Sequence, residues 1–155
     1  MSRSFKSNLV LHKILLLVVF GAITDASADS RTYVRPSAAD SDGLPFSGAV
    51  KAGDTLYVSG DIGLTEDRKV PADPKEEARL LMESFQRTLA EAGYTMDDLV
   101  YVTVYCSDVK HYADFNEVYR GYFKKNFPAR AFVDAGTLLF NVRFEMQGIA
   151  VKNSG

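Results

Sequence analysis

The chain of 155 residues has one cysteine, two histidines and no tryptophan. A single thiol cannot build a disulfide framework, and so few Cys and His leave no zinc site of the usual Cys/His kind. An excess of positive charge is also missing: 18 Lys+Arg face 20 Asp+Glu, for a formal net charge of −2. Binding driven by nucleic-acid phosphates draws on clustered Lys/Arg, and no basic stripe is present. The chain has no G-x-S-x-G elbow, no G-x-x-x-x-G-K loop, no HExxH and no EF-hand pattern. After residue 28 the only histidine is His111, too little for a Ser-His-Asp triad. No metal or cofactor is expected. Long apolar runs are lacking too: the run Ile14–Ile23 is about ten residues, and a membrane span needs about 20.

What is there begins with an address. Met1 to Lys13 carries Arg3, Lys6 and Lys13 and no acid, and the apolar run and Ala26-Ser27-Ala28 follow. This is the n-region, h-region and small-x-small cleavage site of a signal peptide. Cleavage after Ala28 would leave 127 residues with 15 basic and 19 acidic side chains. We therefore expect export, to a periplasm or the outside, and no membrane contact after cleavage. Residues 29–43 are polar and read as an exposed arm with room for one short strand. Residues 44–155 read as one domain of ordinary globular composition, 46% hydrophobic and 25% charged over the whole chain.

Within that domain, Pro45–Ala52 and Thr55–Ile62 are β-prone runs joined by a Gly53-Asp54 turn signal, a hairpin pattern. Asp73–Ala92 is the clearest helix. Asp73 can cap it, Pro74 suits its first turn and Glu76 would complete a capping box. Ala78, Leu81, Met82, Phe85, Leu89 and Ala92 form one apolar stripe, and Gly93 is a natural stop. Leu99–Cys106 alternates, with Val100, Val102, Val104 and Cys106 on one face. Cys106 reads as a buried, inert thiol. His111–Lys125 is expected to be a second helix, and Ala129–Ala135 and Val142–Lys152 the last strands. The order β-β-α-β-α-β-β implies an α+β domain, a mixed sheet with two helices on one face. Its other face should be rich in apolar and aromatic side chains, which predicts a homo-oligomer.

Four fragments could carry chemistry. Ser59-Gly60 ends a strand, where Gly60 permits a β-bulge or a close approach to a ligand. Asn116 on the second helix is a neutral donor and acceptor, or simply an exposed helix residue. Arg130 at the start of a strand is an ion-pair partner or a bidentate clamp for a carboxylate. Glu145 lies in a strongly apolar strand. There it pairs with a cation, faces water from an edge, or carries a raised pKa suited to proton transfer.

Together these fragments resemble the Rid (YjgF-type) family, the reactive intermediate deaminases, from about Leu44 to Lys152. The landmarks are Ser47-Gly48-Ala49-Val50-Lys51-Ala52-Gly53-Asp54, Leu56-Tyr57-Val58-Ser59-Gly60 and Val102-Thr103-Val104-Tyr105. Phe115-Asn116-Glu117-Val118-Tyr119, Pro128-Ala129-Arg130 and Phe144-Glu145-Met146-Gln147-Gly148-Ile149-Ala150-Val151 complete them. The resemblance implies a chorismate-mutase-like fold and a homotrimer with a central barrel and ligand clefts between subunits. It implies cofactor-free hydrolysis of 2-imino and enamino acids to a 2-keto acid and ammonia. Arg130 would grip the substrate carboxylate and Glu145 would position or activate water. Asn116, Ser59 and Gly60 would line the cleft.

Three positions depart from the family pattern. Phe46 stands for a Tyr, Phe132 for a Cys that often faces the ligand, and Asp61 for a Gln. The pocket should be more apolar near Phe132 and more acidic near Asp61. The alternatives to a deaminase are a non-catalytic trimer that binds small carboxylates or acts as a chaperone, and an endoribonuclease, which the net negative charge disfavours. The export reading has a direct check. Mass spectrometry of the secreted or periplasmic protein should find Asp29 at the N-terminus, and a cytosolic chain that retains residues 1–28 would refute it.

Overall fold

The computed structural model describes residues 31–36 and 43–152. The signal segment, much of the arm and residues 153–155 lie outside the described residues. The strands are β1 (Thr32–Val34), β2 (Ala49–Ala52), β3 (Thr55–Ile62), β4 (Leu99–Cys106), β5 (Ala129–Asp134) and β6 (Phe144–Val151). The helices are α1 (Pro74–Glu91) and α2 (Tyr112–Tyr119). The six strands form one sheet in the order β1-β2-β3-β6-β4-β5. β4 and β5 run parallel, and every other neighbouring pair is antiparallel. The last strand of the chain thus sits in the middle, between β3 and β4, and the expected mixed α+β sheet is present.

α1 forms where the capping and periodicity place it. The Asp73 carboxylate accepts the Lys75 N–H at 3.0 Å, and Pro74 opens the first turn. The expected capping box is not what Glu76 makes. Its carboxylate takes both Nε and Nη2 of Arg79 instead, because a guanidinium one turn away offers two charge-assisted bonds. Gly93 ends the helix at φ +80°. Its N–H bonds Ala90 and the Tyr94 N–H bonds Leu89, the paired closure of a Schellman motif.

One face of the sheet holds the core. Leu56, Val58, Val102, Val104, Cys106, Phe144, Met146 and Ala150 pack under Ala78, Leu81, Met82, Phe85 and Leu89 of α1 and Phe115 and Tyr119 of α2. Val100 departs from its expected place. The register shifts between Leu99 and Tyr101, so Leu99 turns inward and Val100 is left 48% exposed. The second helix is also shorter than expected. It is a 3-10 turn at Val109–His111, eight α-helical residues, and a second 3-10 turn at Arg120–Tyr122. β2, β5 and β6 are likewise trimmed by one to four residues at their ends.

The other face is aromatic and open. Tyr57 and Tyr101 are 51% and 42% exposed there. With Thr103, Gln147 and Ile149 they line a depression of about 240 Å³.

Phe85 is fully buried between α1 and the sheet, and its ring lies against Gly148 of β6. Phe85→Ala should therefore cost about 3–5 kcal/mol of unfolding free energy in chemical denaturation. A loss below about 1 kcal/mol would mean that this helix–sheet contact is not part of the core.

Candidate functional site

Two groups of side chains form on opposite faces of the sheet. The first is built around Arg130. β5 is an edge strand, and its register sets Arg130 beside Val102 and Phe132 beside Val104, both on the helix side. α2 lies over them. Arg130 Nη2 donates to Asn116 Oδ1 at 2.6 Å. The guanidinium carbon stands 4.6 Å from the Tyr119 ring centre, 5.7 Å from Phe132 and 5.9 Å from Tyr112. Phe132 is held in turn by edge-to-face contacts with Tyr112 and Phe115.

This aromatic frame suits a planar cation, since ring faces attract it without supplying a hydrogen-bond acceptor. The consequence is visible at Nη1, which is buried with no partner among the described residues. A buried guanidinium N–H without an acceptor is costly, and an incoming oxyanion would relieve that cost. The Tyr119 hydroxyl is likewise buried without a partner among the described residues. Burial pushes its pKa up to about 12, against the lowering effect of Arg130. It therefore stays protonated and neutral at any ordinary pH.

The second group surrounds Glu145. β6 alternates strictly, with Phe144, Met146, Gly148 and Ala150 inward, so Glu145, Gln147, Ile149 and Val151 take the aromatic face. Glu145 lies beside Tyr105 of β4 and Ile62 of β3. The Tyr105 hydroxyl accepts from Gln147 Nε2 at 2.9 Å. The β3–β6 register shifts between Val58 and Asp61, so Ser59 and Gly60 form a bulge. A Cβ at Gly60 would overlap the Glu145 carboxylate. The bulge alternative for Gly60 is thus the one observed, and the close approach it allows is to the Glu145 side chain. Ser59 Oγ donates to the Ser47 carbonyl at 2.5 Å, and exposed Phe46 precedes Ser47 in a cavity shared with Tyr33, Val34 and Arg35.

Arg130, Asn116 and Phe132 are therefore brought together, and so are Glu145 and Gly60. The two groups are not brought to each other within one chain. They face opposite ways, and β4 separates β6 from β5, which puts about 10 Å of sheet between the two strands.

Asp61 corrects an expectation. The bulge turns it toward α1, where it bonds Ser84 and faces Arg87, and its own carboxylate also accepts the Ile62 N–H at 2.9 Å. It does not add a free acid to the cleft. Burial raises its pKa above the ordinary 3.8, outweighing these lowering contacts, and the nearby Glu145 raises it further. Tyr112 and Tyr119 were not foreseen as the frame of Arg130. An arginine eleven to eighteen residues after a Tyr-x-x-Phe-x-x-x-Tyr helix face was the available signal. Among the described residues, no group of three His, Cys, Asp or Glu is placed to hold a metal ion.

The family model described as Endoribonuclease L-PSP matches residues 36–152. The chain belongs to this family, the Rid family. A human relative, 2-iminobutanoate/2-iminopropanoate deaminase, is 34% identical over 110 residues, covering 70% of this chain and 80% of that protein. A RutC family protein of Pyrococcus horikoshii is 37% identical, covering 70% of this chain and 87% of its own length. The crystal structure of E. coli TdcF with bound serine superposes with a TM-score of 0.68 at 30% identity, covering 71% of this chain and 90% of that one. The fold is that of the Rid proteins.

The Asp61 assignment has a pH signature. A carboxyl whose folded pKa is raised favours the native state most below its unfolded value and loses that contribution as pH rises through the folded value. Asp61→Asn should therefore raise the melting temperature relative to the unsubstituted protein at neutral pH. The advantage should shrink as the pH falls from neutral through the raised folded value towards 3.8, and be gone below 3.8. A constant difference across that range would show that Asp61 is not held in a desolvated site.

Proposed function

We propose that this Rid protein hydrolyses 2-imino and enamino acids to 2-keto acids and ammonia, at sites completed between the subunits of a homotrimer. The observation that carries this reading is the Arg130 guanidinium, oriented by Asn116 and framed by aromatic rings, with Nη1 buried and given no acceptor by the described residues. A substrate carboxylate supplies that acceptor. The names of the human and E. coli relatives, which refer to imine and reactive-intermediate deamination, support the same class.

The chemistry needs little more than position. The carbon of a C=N bond is already electrophilic, and protonation of the nitrogen increases this. Glu145 accepts a proton from water as its oxygen bonds to that carbon, giving a carbinolamine. Glu145 returns its proton to the amine nitrogen, the C–N bond breaks with its electron pair leaving on ammonia, and the hydroxyl proton passes to water as that oxygen becomes the keto group. An enamino acid first takes a proton at its β-carbon to give the imine. Holding substrate and water in register converts a bimolecular step into a local one, and a placed general base adds about 10²–10⁴-fold.

Assembly follows from the two separated groups. The aromatic face bearing Tyr57, Tyr101 and Ile149 is too apolar to be left wet, and its burial against other copies would bring the Glu145 group of one subunit to the Arg130 group of another. Phe132 fills space beside the guanidinium and would favour substrates with short or apolar side chains. If the chain is exported, its imines arise from amino-acid or amine oxidation rather than from cytosolic dehydratases.

An amino-acid oxidase that generates 2-iminobutanoate in situ provides the assay, with ammonia release as the readout. Arg130→Ala should lower kcat/KM at least about 100-fold, the worth of two charge-assisted hydrogen bonds. Undiminished ammonia release by that variant would refute the assignment. Keto-acid binding without turnover by the unsubstituted protein would instead leave a carboxylate-binding module. RNA cleavage that survives purification and is lost in Arg130→Ala would favour the ribonuclease reading.

A further inference from the structure

Glu77 is the most deeply buried charge among the described residues, and the deaminase reading does not use it. It sits in the first turns of α1, fully buried. Its Oε1 accepts both the Arg143 and the Phe144 backbone N–H, the latter at 3.1 Å. Its Oε2 accepts Arg143 Nη1 at 2.6 Å. The same guanidinium spans onward to the Pro71 and Ala72 carbonyls at 2.8 and 3.1 Å, so the loop before α1 is tied in as well. These groups lie immediately before Glu145 in the chain.

The backbone of Glu77 makes a second contact. A Cβ on Gly63 would overlap the Glu77 carbonyl, so the chain leaving β3 passes hard against this turn of α1. One helix residue therefore grips the exit of β3 with its backbone and the entry of β6 with its side chain. Those are the two strands that carry Gly60 and Glu145. The Asp61–Ser84 bond joins α1 to β3 again, just beyond the bulge.

We propose that Glu77 is a positioning residue that sets where the Glu145 carboxylate lies over Gly60. The proposal rests on the deaminase reading of Glu145. An acceptor fixed by burial holds two consecutive backbone N–H groups, and these fix the strand one residue before Glu145. A displacement of about 1 Å in a catalytic group can cost up to about 100-fold in rate. Arg130 and Asn116 are held by α2 and β5 and do not share this support. Glu77 should thus act on kcat and not on carboxylate binding.

Two substitutions separate reach from charge. Glu77→Gln keeps an oxygen at the same reach for both N–H groups and loses the ion pair. Glu77→Asp keeps the charge and withdraws the oxygen by about 1.5 Å, one carbon–carbon bond. With 2-iminobutanoate generated in situ, Glu77→Asp should lower kcat at least about tenfold, and Glu77→Gln should restore it to within about threefold of the unsubstituted protein. The Kd for the product, 2-oxobutanoate, should stay within about twofold in both. Equal kcat in the two variants, or a Kd that weakens in step with kcat, overturns the proposal. Amide exchange reads the clamp without turnover: the Arg143 and Phe144 N–H groups should exchange faster in Glu77→Asp than in Glu77→Gln. Equal exchange in the two refutes the clamp, whereas a lack of ammonia release by the unsubstituted protein refutes the deaminase reading.

Discussion

A buried guanidinium N–H needs an acceptor, and among the described residues half-buried Arg130 is given one, on Asn116, while its enclosed Nη1 has none. Asn116 satisfies Nη2, and aromatic rings surround the rest. Ring faces make the cation tolerable without quenching its hydrogen-bonding capacity. On the proposed reading, that leaves the site suited to an oxyanion. Much of the surrounding architecture serves that arrangement. β5 lies parallel to β4 at the sheet edge, which requires the α2 crossover, and the crossover brings Asn116, Tyr112 and Tyr119 over the strand. Phe115 anchors α2 in the core and supports Phe132 beside the cation.

The second constraint is the period of two along β6. Inward residues belong to the core, so Glu145 can only emerge on the aromatic face. It is thus separated from Arg130 by the thickness of the sheet as well as by a strand. On the proposed reading the carboxylate clamp and the proton acceptor meet only between copies, and the open aromatic face of the same sheet would supply the surface for that association. Fold, proposed association and proposed chemistry would then depend on one alternation.

Much of this was legible in the sequence where local rules act alone. The apolar stripe of α1, Asp73 and Gly93 marked a helix whose ends fall where expected, because capping and turn chemistry are decided within a few residues. The Gly53-Asp54 turn was equally local, with Gly53 at φ +59°. Alternation failed at Val100, since a pattern of period two cannot register the extra residue of a bulge, and the family pattern that suggested an acidic pocket at Asp61 did not show the bulge that turns it toward α1. There the pairing partner decides the face. α2 was overestimated because an apolar helical pattern does not distinguish α from 3-10 turns at its ends. Glu76 was misread because Arg79 competes for the same carboxylate.

The site was legible as a set of residues but not as an arrangement. Arg130, Asn116, Glu145 and Gly60 were each singled out, but the sequence could not say that the first two meet and that the last two meet elsewhere. Glu77 carried no signal at all, being one acid among several at a helix start, and only its burial against the entry of β6 reveals it. The central claim is that Arg130 of one subunit and Glu145 of another share one ligand. A crystal structure of the assembled protein with 2-oxobutanoate tests it most directly. The account predicts the carboxylate on Arg130 Nη1 and the keto carbon within one water of a Glu145 carboxylate from a different copy. A ligand away from Arg130, or a Glu145 that faces no ligand in any copy, would contradict it.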